Sequence, residues 1–133
     1  MSERLDEAYI WVRQNLFSEW DEDGAWEIKE DYGPIYFDKG PSNWLDYEGE
    51  CDLDNKHIYI SPQCQKKSDD EMYGLIVHEI AHATSGSADH TTEKEEWPRE
   101  MKKAAERARD VGKAKLADLI EGDRKSYEGV EDL

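Results

Sequence analysis

The chain has 133 residues, 38% of them charged and 37% apolar, with a formal net charge of −16. That length suits one domain around one modest core, and five Trp with seven Tyr supply large rings to bury, so a folded chain is expected and not a disordered one. The acidity argues against direct binding to nucleic acid or to an anionic membrane, because either would need Lys and Arg to neutralise phosphate.

No apolar stretch approaches the length of a membrane span, and MSERLDEAYI lacks the basic region and apolar run of a signal peptide. A cytoplasmic protein is expected, with Cys51 and Cys64 reduced. A disulfide between them cannot be deduced from sequence.

Leu5, Ala8, Tyr9, Val12, Leu16 and Trp20 recur at helical spacing and predict a helix over 3–20, ended by DEDG at 21–24. The short apolar runs AWEIKE, PIYFD, WLDYEGECDL and HIYIS, punctuated by Gly, Pro and Asn, read as strands of a small sheet. Alternation is clearest around Ile58 and Ile60, and Asp54-Asn55 suits the hairpin turn before them. SPQCQKKSDD reads as a loop that ends in an N-cap at Ser68 or Asp69. A helix follows over 70–85 and stops at Gly86. Pro98 suits the first turn of another, roughly 98–120, with Gly112 as a break. GDRKSYEGVEDL, about 122–133, reads as a frayed acidic tail of a single domain spanning 1–133.

Three of the four histidines fall within residues 78–90, and His78-Glu79-Ile80-Ala81-His82 is H-E-x-x-H on the 70–85 helix. Residues four apart share a helix face, so both imidazoles can reach one metal ion. Glu79, rotated about 100° from His78, can miss the ion and still take a proton from water bound to it. Composition alone gives this pattern roughly once or twice in a hundred chains. Ile76, Ile80 and Ala83 lie opposite the histidines, where a core belongs. Gly74, Ala81 and Ser85 are small and lie near the histidine face, which would leave room for a substrate.

A catalytic zinc takes three protein ligands and leaves a fourth position to water. His90 is the leading third ligand, because the chain turns at Gly86 and four extended residues reach at most about 13–14 Å. Glu93, Glu95, Glu96 and Glu100 are the rivals, and Asp89 is a candidate supporting partner. His57 reads as a solvated strand residue.

HEIAHA, a short loop, a histidine and then an aromatic-led helix, WPREMKKAAERA, resemble the SprT-like family of zinc metallopeptidases, which includes the Spartan proteases. The similarity spans about residues 56–110. Thr91 follows His90 where that family has Gly, and the interval from His90 to Trp97 is longer than its usual pattern. The position of His90 also differs from the extended metzincin motif. The resemblance implies an α+β, zincin-like fold. A small, mainly antiparallel sheet would pack on the N-terminal helix and the H-E-x-x-H helix, with C-terminal helices beyond. It places HIYIS nearest the cleft, as an edge strand able to hold an extended peptide.

The expected activity is zinc-dependent hydrolysis of peptide bonds in a protein or peptide substrate. One zinc per chain would be held by His78, His82 and His90, with Glu79 as general base. Tyr59, Tyr73 and Tyr127 are nominal oxyanion donors, but each reads first as a core or interface aromatic. Two alternatives stay open. One is a zinc-holding peptide-binding or regulatory module, whose site Cys51 or Cys64 would close as a fourth ligand. The other is a gluzincin-type enzyme with a glutamate as third ligand.

Overall fold

The computed structural model describes residues 3–20, 26–30, 49–87, 90 and 95–127. The runs PIYFD and WLDYE, together with DEDG, Asp89, Thr91, Glu93 and residues 128–133, lie outside the described residues.

Helix α1 spans Glu3–Leu16 and buries Leu5, Ala8, Tyr9, Val12 and Leu16 along one face. That is the stripe its periodicity predicts. The helix ends earlier than expected, and Phe17 continues into the core from the turn after it.

Strands β1 (Glu27–Glu30), β2 (Gly49–Asp52) and β3 (His57–Ile60) form a three-stranded sheet in the order β1-β3-β2. β1 pairs with β3 in parallel, Ile28 beside Ile58, whereas β2 pairs with β3 antiparallel, Cys51 beside Ile58. The described sheet is therefore mixed rather than mainly antiparallel. HIYI is its central strand, not its edge, so Ile58, Tyr59 and Ile60 are all buried where simple alternation was expected. The β2–β3 turn falls where Asp54-Asn55 predicts it. Asp52 accepts from the Asn55 backbone N–H at 3.1 Å and from its side-chain amide at 2.8 Å, and Lys56 takes the left-handed conformation, φ 59°.

A 3₁₀ turn over Pro62–Lys66 replaces the open loop expected there and leads to helix α2, Asp69–Ser85. Ser68 caps α2 with a reciprocal box. Its hydroxyl accepts from the Glu71 N–H at 3.2 Å, and the Glu71 carboxylate accepts from the Ser68 N–H at 3.3 Å. Gly86 ends the helix at φ 70°, its N–H donating to the His82 carbonyl at 3.0 Å.

Helix α3, Glu96–Asp110, buries Trp97, Met101, Ala104, Ala105 and Ala108. Gly112 at φ 81° breaks the chain, as predicted, before helix α4, Ala114–Ser126. The Arg107 guanidinium ties α3 to the end of α1, donating to the Leu16 carbonyl at 2.8 Å and to Glu19 at 2.6 Å.

The described architecture is α+β, four α-helices and one small mixed sheet, with α2 at its centre. α1, α3, α4, β2 and β3 all pack against α2, and Met72, Ile76, Val77, Ile80 and Ala81 are buried around most of its circumference. Among the described residues no helix is long and apolar enough to cross a membrane.

Because α2 carries both the core and three of the candidate site residues, its cap should matter to the whole fold. Ser68→Ala removes one partner of the box and is expected to cost about 1 kcal/mol of stability, measured as a lower urea midpoint with unchanged slope.

Candidate metal centre

His78 and His82 are four positions apart, and α2 keeps them on one face with ring centroids 5.1 Å apart. His90 arrives from beyond the Gly86 turn. Its Nε2 lies 3.0 Å from His78 Nε2 and 3.2 Å from His82 Nε2. The ligand atoms of all three fall within 4.8 Å of one another, and among the described residues they form the group able to hold a metal ion.

The outer nitrogens of two rings are committed elsewhere. His82 Nδ1 is 2.8 Å from the Ser87 carbonyl. A carbonyl only accepts, so Nδ1 carries the proton and Nε2 presents its lone pair. The αL turn at Gly86 that ends α2 thus also returns a backbone acceptor to His82. His78 Nδ1 is 2.8 Å from Asp123 Oδ2 at the far end of α4, which fixes the same tautomer. Burial, with His78 beside it, pushes His82 down to about 4. At neutral pH it is therefore an uncharged ligand.

Trp97, fully buried at the start of α3, forms one wall. Its indole N–H donates to the His78 carbonyl at 3.2 Å, and its ring lies 4.9, 5.6 and 4.8 Å from those of His78, His82 and His90. Tyr127 lies flat on His90, centroids 3.9 Å apart and planes 10° apart.

Glu79 points toward the sheet. Successive strand residues face opposite sides, so Gly49 and Cys51 share the face of β2 that meets α2. A Cβ on Gly49 would stand 2.9 Å from Glu79 Oε2 and 3.1 Å from the Tyr59 carbonyl. Glycine is therefore what lets β2 lie directly over the carboxylate. Burial pushes Glu79 up to about 7. His78 opposes the shift, while Asp123 and Glu50 add to it.

The other candidates separate clearly. Glu100 pairs with Lys103 at 3.1 Å, and neither it nor Glu95 or Glu96 belongs to the converging group. Cys51 and Cys64 are not joined in a disulfide, and neither belongs to that group. Burial and the neighbouring Glu79, Asp52 and Glu50 push the Cys51 thiol up, away from the thiolate that ligation requires. His57 is half-buried on β3, 3.1 Å from the Tyr59 hydroxyl. Tyr73 stacks on Trp11 at 4.8 Å.

Two expectations are corrected. Gly74 and Ala81, near the histidine face, do not leave an open space. A Cβ on Gly74 would meet Leu116 and Leu119 of α4 at 3.9 and 4.0 Å, and Ala81 is fully buried, so small size there serves close helix packing. Nor is the segment from Gly122 a frayed tail throughout. α4 continues to Ser126, and Asp123 and Tyr127 both reach the histidines. The signal for this was present, because 116, 120, 123 and 127 follow helical spacing and extend the Leu116–Ile120 stripe into the site.

No protein-family model, no curated protein and no solved structure matches this chain.

In the metal-free protein a Glu79 raised above its unfolded value near 4.5 binds its proton more tightly folded than unfolded. Stability therefore falls as pH rises from the unfolded pKa through the folded one. Glu79→Gln removes that loss. With chelator present, the variant should gain about 2 kcal/mol on wild type between about pH 5 and pH 8, read by urea unfolding at each pH. A pH-independent difference would contradict the assignment.

Proposed function

We propose that the chain is a zinc-dependent metallopeptidase in which His78, His82 and His90 hold one zinc ion and Glu79 is the general base. The observation that carries the reading is the convergence of three Nε2 atoms beside a buried glutamate one residue along the same helix. Nitrogens held about 2.0–2.1 Å from a common tetrahedral centre stand roughly 3.3 Å apart, close to the 3.0 and 3.2 Å found here. Neutral imidazoles with occupied outer nitrogens are the form in which histidine ligates metals.

Bound zinc would polarise a scissile carbonyl and lower the pKa of water toward about 7. The protein's own groups do the rest. Glu79 accepts the proton of the attacking water and returns it to the leaving amine. A cation in the centre favours its ionised, basic form, against the burial that raises its pKa in the metal-free protein. Asp123 and the Ser87 carbonyl hold two rings in the ligating tautomer. The zincin-like fold and the SprT-like relationship belong to the same proposal and rest on the motif HEIAHA with His90 and Trp97.

The enclosure of the centre favours a second reading, a zinc-holding module that binds a peptide without cleaving it. Trp97 is fully buried and Tyr127 lies flat against His90, and such packing suits a structural ion as well as a catalytic one. The glutamate of the motif separates the two, because a structural ion has no use for a base beside it.

The purified protein is expected to carry about one zinc per chain. Glu79→Gln should keep that zinc and lower peptide hydrolysis by about 10²- to 10⁴-fold, assayed on a peptide library with elemental analysis of the same samples. Equal cleavage by variant and wild type would refute the mechanism. A wild type that binds zinc and cleaves nothing would favour the binding module.

His90→Ala should weaken zinc binding at least about tenfold and abolish hydrolysis. Glu95→Gln, Glu96→Gln and Glu100→Gln should leave the affinity in place. Calorimetric titration distinguishes them, and loss in a glutamate variant alone would move the protein to the gluzincin reading.

A further inference from the structure

We propose that Asp123 is a positioning residue of the metal centre, whose carboxylate fixes the orientation and tautomer of His78 from the last turn of α4. The inference rests on the metal-binding reading above and adds to it a residue forty-five positions from its ring partner.

The contact is short and sheltered. His78 Nδ1 and Asp123 Oδ2 are 2.8 Å apart, with side-chain exposures of 13% and 31%. An imidazole that donates to a carboxylate through one nitrogen becomes a better electron donor at the other, and its ring stops rotating. His78 Nε2 is the nitrogen that meets His90 Nε2 at 3.0 Å. Orientation set at Asp123 is therefore felt at the point where the three rings converge.

The packing of α4 on α2 sets the register of this contact. Gly74 admits Leu116 and Leu119 at van der Waals distance. One turn further along α2 is His78, and one turn beyond Leu119 along α4 is Asp123, so the two helices bring them level. Another turn along α4 brings Tyr127 against His90. The same helix face thus buries Leu116 and Ile120 and then supports two of the three ligands. Trp97 holds the His78 backbone from the other side, through its indole N–H.

A carboxylate that merely tied α4 to α2 would affect zinc only through the fold. One that acts through His78 must lose its effect when His78 is gone. The test is a double-mutant cycle on zinc affinity, with zinc alone competed against a chromophoric chelator. Asp123→Ala is expected to weaken binding about 10- to 100-fold. Asp123→Asn keeps an acceptor but loses the charge, and should lose less. In the His78→Ala background, Asp123→Ala should change the remaining affinity by less than about twofold.

Circular dichroism and unfolding of the metal-free variants accompany each measurement. Should Asp123→Ala lose helix, the isosteric Asp123→Asn carries the cycle. Cobalt substituted for zinc gives an independent readout, and its visible absorption should shift in both Asp123 variants. A folded Asp123→Ala that binds zinc like wild type overturns the inference. So does a loss of the same size in the His78→Ala background. Either result leaves the function proposed above standing. A wild type that binds no zinc overturns both.

Discussion

Three imidazole nitrogens within about hydrogen-bonding distance of one point are the constraint on which the rest of this molecule depends. Rings so close cannot all be charged, and they keep their directions only if something holds each from outside. The protein meets this with one device per ring. His82 is held by the carbonyl that follows the helix-ending glycine, His78 by a carboxylate from α4, and His90 by the flat face of Tyr127. Trp97 packs against all three. Most of the described fold serves these devices. The capping box fixes where α2 begins, α1 and the sheet bury its other faces, and the break at Gly112 lets α4 turn back along it.

The glutamate of the motif lives under a different constraint. A carboxylate buried beneath a sheet is costly in its charged form, and β2 can lie over it only because position 49 has no side chain. The two halves of the site are thus built on adjoining faces of α2, about 100° apart at His78 and Glu79. Helices hold the ligand side and the sheet covers the base side. A single helix joins them, so displacement of α2 would disturb both.

Local signals were legible wherever local chemistry decides the outcome. Ser68 with Glu71, and Gly86, mark the ends of α2 in the sequence because caps are short-range interactions. The stripe from Leu5 to Leu16 marks α1 for the same kind of reason. The grouping of His78 with His82 was readable because one helical turn fixes their spacing, and that of His90 because the turn at Gly86 leaves it little distance to cover. The misreadings were non-local. Which strand is central depends on pairing partners distant in sequence, so HIYI was expected at an edge. Small residues on α2 resemble a cavity until the helix that packs on them is known. Asp123 was hidden in an acidic composition that resembles a solvated tail, and only the register between α2 and α4 gives that carboxylate its partner.

Three histidines, and no thiol or further carboxylate, are proposed to bind one zinc ion and leave a position to solvent. X-ray absorption at the zinc edge, on protein loaded with one equivalent, tests it most directly. Three imidazole nitrogens and one further light atom are expected, all near about 2.0–2.1 Å. A sulfur shell near about 2.3 Å would contradict it by placing Cys51 or Cys64 on the metal, and a shell with only two imidazoles would remove His90 from the site.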